Sequence, residues 1–261
     1  MYIGLDLGTS GLKGIVIDDA QGWWRKPPPL GRFETGRRLE RAIPADWIAA
    51  AEAVMDALSR QVSLGAVRGI GLSGQMHGAT LLDAADEVLR PCILWNDTRS
   101  HAEAATLDGD PIFRRISGNI VFPGFTAPKL DWVRQHERAL WDKVARVLLP
   151  KDYLRLWLTG EHVAEMSDAA GTSWLDTGRR DWSDDLLAAT GLTRAHMPRL
   201  VEGSEVSGQL RAALAQRWGW PRAWWLRGRR RQCGLGRGCR RGAGGRCLCQ
   251  PRYLGRALCG Q

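Results

Sequence analysis

Short apolar runs separated by a glycine-rich turn dominate the first eighteen residues. Tyr2 to Leu7 and Leu12 to Ile17 are apolar enough to be buried strands, and Gly8 to Gly11 lies between them. Glycine permits positive φ and carries no Cβ atom that would keep a ligand away from the backbone. The pattern predicts a β-hairpin whose Gly-Thr-Ser-Gly turn is open to a ligand.

Further along the chain, helical and strand-like patterns alternate. Residues 23–42 combine paired Trp, triple Pro and scattered Arg and follow neither period. Asp97 or Thr98 is suited to cap the helix expected after Trp95. The predicted strands are 66–72, 79–82, 88–95 and 144–149, and the predicted helices are 44–58, 129–136, 151–157 (closed by Gly160), 182–190 and 209–218. Hairpins alternating with helices indicate an α/β fold with a mixed sheet.

Composition favours a globular protein without a membrane segment. The chain has 261 residues, and 44% of them are hydrophobic, which is enough for a real core. No apolar run approaches the roughly 18 residues of a membrane-spanning helix, and Asp6 interrupts the only apolar stretch near the N-terminus. We therefore predict a soluble, cytoplasmic protein with no membrane partner.

Charge and cysteine are concentrated in the last forty residues. Residues 222–261 contain 11 Arg and no Asp, Glu or Lys, and the formal charge of +9 depends on them, since 26 basic residues face 28 acidic ones in residues 1–221. Five of the six cysteines also lie there, and only Cys92 lies in the body of the chain. The global charge therefore describes two unlike segments and does not by itself indicate an anionic partner.

The hairpin carries groups suited to a phosphate. Thr9, Ser10 and the N–H groups of the turn are donors, Lys13 adds a cation, and the Asp6 carboxylate is placed to hold a hydrated Mg²⁺. The alternative is an ordinary hairpin with no ligand.

Two further polar clusters follow predicted strands. In the first, Gln75 and His77 can hydrogen-bond sugar hydroxyls while Met76 packs on the carbon face; the alternative is a buried histidine that bonds to the backbone. In the second, Trp95 can stack on a sugar and Asn96 and Asp97 can bind its hydroxyls; the alternative is a helix cap beside a core Trp. The residues alone leave both alternatives open.

Six segments together resemble the FGGY family of carbohydrate kinases, and among its members most closely the bacterial xylulose kinases. The resemblance covers residues 1–22 and about 43–220. The segments occur in the family's order and spacing, and they are Asp6-Leu-Gly-Thr-Ser-Gly-Leu-Lys13, Gly74-Gln-Met-His-Gly78, Leu94-Trp-Asn-Asp97, Pro123-Gly-Phe-Thr-Ala-Pro-Lys-Leu130, Leu148-Leu-Pro-Lys-Asp-Tyr-Leu-Arg155 and Ser167-Asp-Ala-Ala-Gly-Thr172.

The resemblance implies a ribonuclease-H-like domain of the actin, Hsp70 and sugar-kinase superfamily over residues 1–220, with a mixed sheet and flanking helices. It implies ATP-dependent phosphorylation of D-xylulose to its 5-phosphate, with ATP and Mg²⁺ as cofactors, and it leaves a homodimer possible. A kinase for another pentulose or a polyol is the alternative. The implied site residues are Asp6 (catalysis and Mg²⁺, through water), Gly8, Thr9, Ser10 and Lys13 (phosphates), and Gln75, Met76, His77, Asn96 and Asp97 (sugar).

The chain departs from the family in two windows, 23–42 and 221–261. The family's Gly-Gly-Gly-Asp-Asn motif, whose Asp takes the proton from the sugar hydroxyl, does not occur. Arg229-Arg-Arg-Gln-Cys-Gly234 can be encoded so that skipping one base yields Gly-Gly-Asp-Asn-Ala, and Gln250–Arg256 yields Ser-Leu-Gly-Thr-Ser-Gly at the same offset. We therefore hypothesise that both windows are out of frame. Resequencing the gene tests this, because intact codons for the Arg-rich segment would exclude it.

Two expectations concern the chain as printed. It should be catalytically inactive, since it contains neither the base motif nor the ATP-binding half of such a kinase, and turnover above a blank in a coupled assay would refute this. The Arg/Gly/Cys-rich segment from residue 221 should be irregular. The competing interpretation is a nucleic-acid-binding tail, since Arg-Gly segments bind RNA by charge and guanidinium stacking, but we expect no nucleic-acid partner.

Overall fold

The computed structural model describes residues 1–17 and 43–220, together with the backbone of residues 225–228. Window 23–42 and all but four residues of the 222–261 segment lie outside the described residues, as do the predictions made for them. No helix in the described part of the chain is both long and apolar enough to cross a membrane.

A five-stranded mixed sheet organises the first core. Strand β1 (Tyr2–Gly8) pairs antiparallel with β2 (Gly11–Ile17) and parallel with β3 (Gly69–Gly74). Beyond β3 come β11 (Trp225–Gly228), which is parallel to β3, and β10 (Gly208–Gln209), which is antiparallel to β11. The predicted hairpin and the predicted mixed sheet are confirmed.

Strand β11 corrects one expectation. Residues 221–261 were expected to be irregular, yet the backbone of Trp225–Gly228 extends the sheet beside β3, with Leu226 opposite Ile70. The prediction was wrong for these four residues because β3 offers an unpaired edge, and an edge strand is a template for any extended chain.

Helix α1 (Pro44–Gln61) covers the hairpin, as the Ala-rich pattern predicts. Its first residue is proline, which costs little there because the first helical N–H groups have no intrahelical acceptor. Trp47, Val54 and Leu58 are buried in the same cluster as Ile3 and Leu5 of β1. Burying these large apolar side chains is the main force that holds the helix on the sheet.

Most of the remaining helices and short strands surround a second core around Phe113, Leu130 and Trp174, whereas the helices at 150–159 and 212–217 pack on the first core. The helices are α2 (His101–Gly109), α3 (Pro111–Ser117), α4 (Thr126–His136), α5 (Arg138–Trp141), α6 (Pro150–Thr159), α7 (Met166–Ala169), α8 (Asp184–Ala189) and α9 (Ala212–Arg217). The strands are β4 (Thr80–Leu82), β5 (Arg146–Leu148), β6 (Val163–Glu165), β7 (Leu175–Asp176), β8 (Asp181–Trp182) and β9 (Arg199–Val201).

Most predicted elements are present, with shifted ends. Helix α6 is closed by Gly160 at φ 82°, as expected for a left-handed C-cap. Short 3-10 helices occur at 64–66, 170–172 and 194–196, so the strand predicted from residue 66 begins only at Gly69. In the predicted helix 182–190, Trp182 belongs to β8, and the helix begins after Ser183, whose side chain caps it.

Two local predictions were wrong. Residues 88–95 form no continuous strand and make only isolated bridges, Leu82 with Val88 and Ala79 with Ile93. Pro91 lies between them and has no N–H to donate to a ladder. The helix after Trp95 begins at His101 and is preceded by Ser100, so neither Asp97 nor Thr98 caps it.

Candidate functional site

The hairpin turn and the loop after β3 lie at one edge of the sheet. Since β1 and β3 are parallel, the segments that follow them leave the sheet at the same edge. The backbone N–H of Gln75 donates to the carbonyl of Leu7 at 2.7 Å. The predicted phosphate residues and the first set of predicted sugar residues are therefore neighbours.

The turn presents its polar groups outward. Gly8 and Gly11 face each other as the last pair of the β1–β2 ladder, and Thr9 and Ser10 form the two-residue turn. Asp6 lies opposite Lys13 in the same ladder. The Ser10 and Lys13 side chains are exposed, Asp6 and Thr9 are half-buried, and this set of donors beside one carboxylate fits an anionic phosphate and its metal ion.

Trp95 joins the second sugar cluster to the turn. Its indole Nε1–H donates to the Thr9 hydroxyl at 3.0 Å, and 47% of its surface stays exposed. A threonine hydroxyl that accepts a hydrogen bond still has its own hydrogen to donate. Thr9 can therefore hold Trp95 and a phosphate oxygen at the same time.

His77 is the most constrained of the predicted sugar residues. It is 5% exposed and has φ 66°, which is unusual for a residue with a side chain. Its ring Nδ1 lies 2.7 Å from the carbonyl of Gly171, so Nδ1 must carry a hydrogen and Nε2 is the acceptor of the neutral ring. The ring also packs on Phe125, with centroids 4.7 Å apart.

Close packing explains the glycines around His77. A Cβ atom on Gly74 would lie 3.0 Å from Cβ of Lys151, and one on Gly78 would lie 2.5 Å from Cγ of Pro150. A Cβ atom on Gly171 would overlap the His77 ring. These glycines therefore allow the loop to lie against α6 and the 3-10 helix at 170–172.

Gln75 carries a buried acceptor. The side chain is 5% exposed, and its Oε1 has no hydrogen-bond partner among the described residues. A buried carbonyl oxygen without a partner costs about 1–3 kcal/mol. A ligand hydroxyl that reached this oxygen would remove the cost. Met76, next along the loop, is half-buried.

The second cluster is arranged differently from the first. Asn96 is exposed in a turn closed by the bond from the Asp97 N–H to the Leu94 carbonyl. The Asp97 carboxylate accepts from Nε and Nη2 of Arg99, at 3.0 and 2.7 Å. Partial burial alone would raise the pKa of Asp97, but the hydrogen bonds from Arg99 outweigh it and the pKa is lowered. Asp97 is therefore an anion already paired with Arg99.

Lys129 was given no role from the sequence, although it lies in one of the family-like segments. Its side chain is fully buried, and Nζ donates to the carbonyls of His77 and Gly124 at 2.7 and 2.8 Å. Burial lowers its pKa to about 7, against the opposing effects of Cys92 and Asp97.

A buried ionic group on α6 and α7 was also missed. Lys151 lies 2.5 Å from Oδ1 of Asp152 and 3.2 Å from Oδ2 of Asp168, and all three side chains are fully buried. Burial raises the pKa of Asp168 to about 6, although the Lys151 charge acts in the opposite direction. Asp168 lies three residues before Gly171, the residue that binds His77. The only signal for Lys129, Lys151, Asp168 and Gly171 was membership of the family-like segments.

Within the part of the chain that the structure describes, no group of three or more His, Cys, Asp or Glu side chains is arranged to hold a metal ion. A cleft of about 500 Å³ lies beside α7 and contains none of the predicted site residues. Its lining includes Glu165, Ser167, Arg180 and Glu202.

Comparison with known proteins places this geometry in context. Residues 1–223 match the family model described as "FGGY family of carbohydrate kinases, N-terminal domain". The chain is 51% identical over 234 residues to the xylulose kinase of Klebsiella pneumoniae and 49% identical over 230 residues to that of Escherichia coli. These matches cover 85% and 84% of the chain but 47% and 46% of the relatives, so the chain spans about half their length.

Solved structures agree. A xylulose kinase from Brucella ovis is 55% identical with a TM-score of 0.79, and the match covers 87% of this chain and 48% of that one. The xylulose kinase from Rhodospirillum rubrum is 25% identical with a TM-score of 0.73, covering 88% of this chain and 48% of that one.

Proposed function

The chain belongs to the FGGY family of carbohydrate kinases, and from that premise we propose that it carries the sugar side of an ATP-dependent D-xylulose kinase. The proposed product is D-xylulose 5-phosphate, as the resemblance implies. We assign residues 1–220 to the domain that holds the sugar and meets the phosphates of the nucleotide.

The proposed sugar site lies along the loop after β3. The buried Gln75 Oε1 is an acceptor for a sugar hydroxyl, and the His77 ring is held in one tautomer by Gly171. Met76 and the exposed Trp95 offer apolar surface to the carbon face of the sugar. Asn96 and Asp97 are further hydroxyl ligands at the rim, where Arg99 keeps the Asp97 carboxylate ionised.

The proposed phosphate site is the hairpin turn. Bound ATP would supply the phosphoryl group and Mg²⁺ would neutralise its charge. The backbone at Gly8, the Thr9 and Ser10 hydroxyls and the Lys13 ammonium would bind phosphate oxygens, and Asp6 would orient the metal ion through water. Phosphoryl transfer depends mainly on positioning and charge neutralisation, and these residues provide both without covalent chemistry.

One observation supports the proposal most strongly. The indole N–H of Trp95 donates to Thr9 Oγ1, so a residue of the proposed sugar site and a residue of the proposed phosphate site touch directly. A kinase must bring an acceptor hydroxyl and a phosphoryl group together, and this contact between residues 86 positions apart in sequence supports such a role.

Calorimetric titration of the 261-residue chain with D-xylulose tests the proposal. D-Ribulose and xylitol in parallel distinguish the proposed sugar from another pentulose or a polyol. His77→Asn should weaken binding at least about tenfold, a loss near that of one buried hydrogen bond. Asn is chosen because it tolerates positive φ better than most residues.

The matched control is His101→Asn, at the exposed start of α2, which should bind the sugar like the wild type. If the wild type shows no heat of binding with D-xylulose while folded, the proposed function fails for this chain. Tighter binding of ribulose or xylitol than of xylulose would move the proposal to that sugar class.

A further inference from the structure

Lys129 connects the two loops that border the proposed sugar site. It lies in the first turn of α4, and its Nζ reaches the carbonyl of His77 in the loop after β3 and the carbonyl of Gly124 in the loop before α4. Both distances, 2.7 and 2.8 Å, are those of charge-assisted hydrogen bonds. One side chain thus binds the backbone of both loops.

The His77 peptide needs such support. A residue with a Cβ atom at φ 66° is strained by about 1–2 kcal/mol. Its carbonyl accepts from Lys129 and, at 3.3 Å, from the Thr126 hydroxyl, while its ring bonds to Gly171. These contacts come from two different segments, α4 and the 3-10 helix at 170–172, and together determine where the imidazole lies.

Burying a lysine in a protein core costs more free energy than burying an apolar side chain of similar size. An ammonium without exposed surface loses its hydration, which costs several kcal/mol unless its donors are bonded. Methionine would occupy nearly the same volume without that cost. The two carbonyls of His77 and Gly124 are therefore the physical reason for a lysine at this position.

We propose that Lys129 is a positioning residue, which by holding the His77 and Gly124 carbonyls orients the His77 ring for the sugar. This inference rests on the proposed sugar site. The loop before α4 also carries Phe122, whose ring lies 4.2 Å from that of Phe125. The same two bonds therefore fix the positions of Phe122 and Phe125, the aromatic rings beside His77, as well as the position of His77 itself.

Burial makes the contact of Lys129 sensitive to pH, because it lowers the pKa of the ammonium to about 7. Asp97 faces it from the turn after Leu94 and stays ionised, and Cys92 faces it with a pKa that burial raises to about 11. Between pH 6 and 9, Lys129 passes from an ammonium to an amine as the pH rises through about 7, and its bonds to the carbonyls lose their charge assistance.

The test compares Lys129→Met with Lys143→Met in the 261-residue chain. Lys143 is exposed, so the control removes a lysine without touching the loops. Two properties are measured from pH 6 to 9: the dissociation constant for D-xylulose by calorimetry, and the ¹⁵N and ¹H signals of the imidazoles by NMR. The chain has five histidines, and His77→Asn identifies the signal of His77.

In Lys129→Met, we expect the Nδ1–H signal that marks the His77 bond to Gly171 to be lost, and sugar binding to weaken about tenfold. The dependence of sugar binding on pH near 7 should also shrink. Lys143→Met should match the wild type in both. An unchanged His77 signal together with unchanged sugar affinity in Lys129→Met would overturn the inference.

The test still gives an answer if Lys129→Met does not fold or if the wild type does not bind the sugar. If Lys129→Met does not fold, Lys129→Gln replaces it, because the carboxamide keeps N–H donors without a titrating charge. Weaker binding with a flattened pH profile supports the inference, and a wild-type affinity and profile overturns it. If the wild type does not bind D-xylulose, the proposed function fails, while the His77 signal still decides whether Lys129 positions the ring.

Discussion

At the scale of single residues, Gly171 decides how His77 is oriented. Its carbonyl accepts from the His77 ring, and its missing Cβ leaves the space that the ring occupies. A hydrogen bond sets the tautomer, and the close approach sets the plane of the ring. The side chain predicted to bind sugar thus depends on a residue that carries no side chain.

Gly171→Ala should therefore disturb the site without harming distant structure. The added methyl group overlaps the His77 ring, so we expect the ring to move, the Nδ1–H signal to shift and affinity for D-xylulose to fall by about tenfold or more. Gly109→Ala is the matched control, since a Cβ atom there meets nothing within 4 Å. Wild-type affinity and an unmoved His77 signal in Gly171→Ala would contradict this account.

At the scale of elements, the hairpin owes its position to α1. A Cβ atom on Gly14 of β2 would overlap Cγ1 of Val54 and lie 3.1 Å from Cδ1 of Leu58, so helix and strand meet here at the closest distance that glycine allows. Overpacking at such a contact forces side chains or backbone to shift. The position of the turn that contains Thr9 and Ser10 therefore depends on the contact between α1 and β2 at Gly14.

Gly14→Ala should lower the free energy of unfolding by about 1–3 kcal/mol. Urea denaturation followed by circular dichroism measures the change. Gly71→Ala in β3 is the comparison, because the nearest atom to its Cβ is the Ile3 carbonyl oxygen at 3.8 Å and little change is expected. Equal stability of the two variants would show that α1 and β2 tolerate a wider spacing.

At the scale of the whole molecule, α6 links the two cores. Its Leu154 and Leu158 belong to the core under the sheet, while Lys151 pairs with Asp168 on α7, next to Ala169 of the second core. The pair is fully buried, and breaking a buried pair leaves an uncompensated charge. We infer that this pair holds α7, and through it Gly171, in register with the loop after β3.

Burial of Asp168, whose effect on the pKa outweighs the attraction of Lys151, also predicts a pH dependence of stability. The pKa of Asp168 is about 6 in the folded chain and 3.8 as its ordinary value, so from about pH 4 to 6 the unfolded state loses its proton first. The contribution of Asp168 to stability is therefore complete below about pH 4 and is lost as the pH rises through 6. The difference in unfolding free energy between wild type and Asp168→Asn should fall across this window by about 1–3 kcal/mol.

Denaturation curves at half-unit steps of pH measure that difference. Asp185→Asn, an exposed carboxylate on α8, is the control and should track the wild type throughout. A difference between wild type and Asp168→Asn that rises from pH 4 to 6 would show that the folded state favours the carboxylate, contrary to this account.

Local patterns predicted most of the elements. The hairpin, α1, α4 and α6 follow from period-2 or period-3.6 apolar spacing together with a proline near the helix start or a glycine at its end, and such signals act over a few residues. The failures occurred where distant contacts decide. Residues 88–95 look like a strand yet make only isolated bridges, and Trp225–Gly228 look irregular yet pair with β3.

The sequence by itself determined the chemistry available: a phosphate-like turn, a Gln-Met-His loop, a Trp-Asn-Asp turn and six segments of a carbohydrate kinase family. Only the tertiary structure decided which of these groups meet, and that Thr9 holds Trp95, Lys129 holds His77 and Gly171 sets the plane of its ring. The physical reason is the range of the interactions. The periodicity of strands and helices can be recognised within a few neighbouring residues. These hydrogen bonds instead join residues 52 to 94 positions apart, and they form only once both cores have packed.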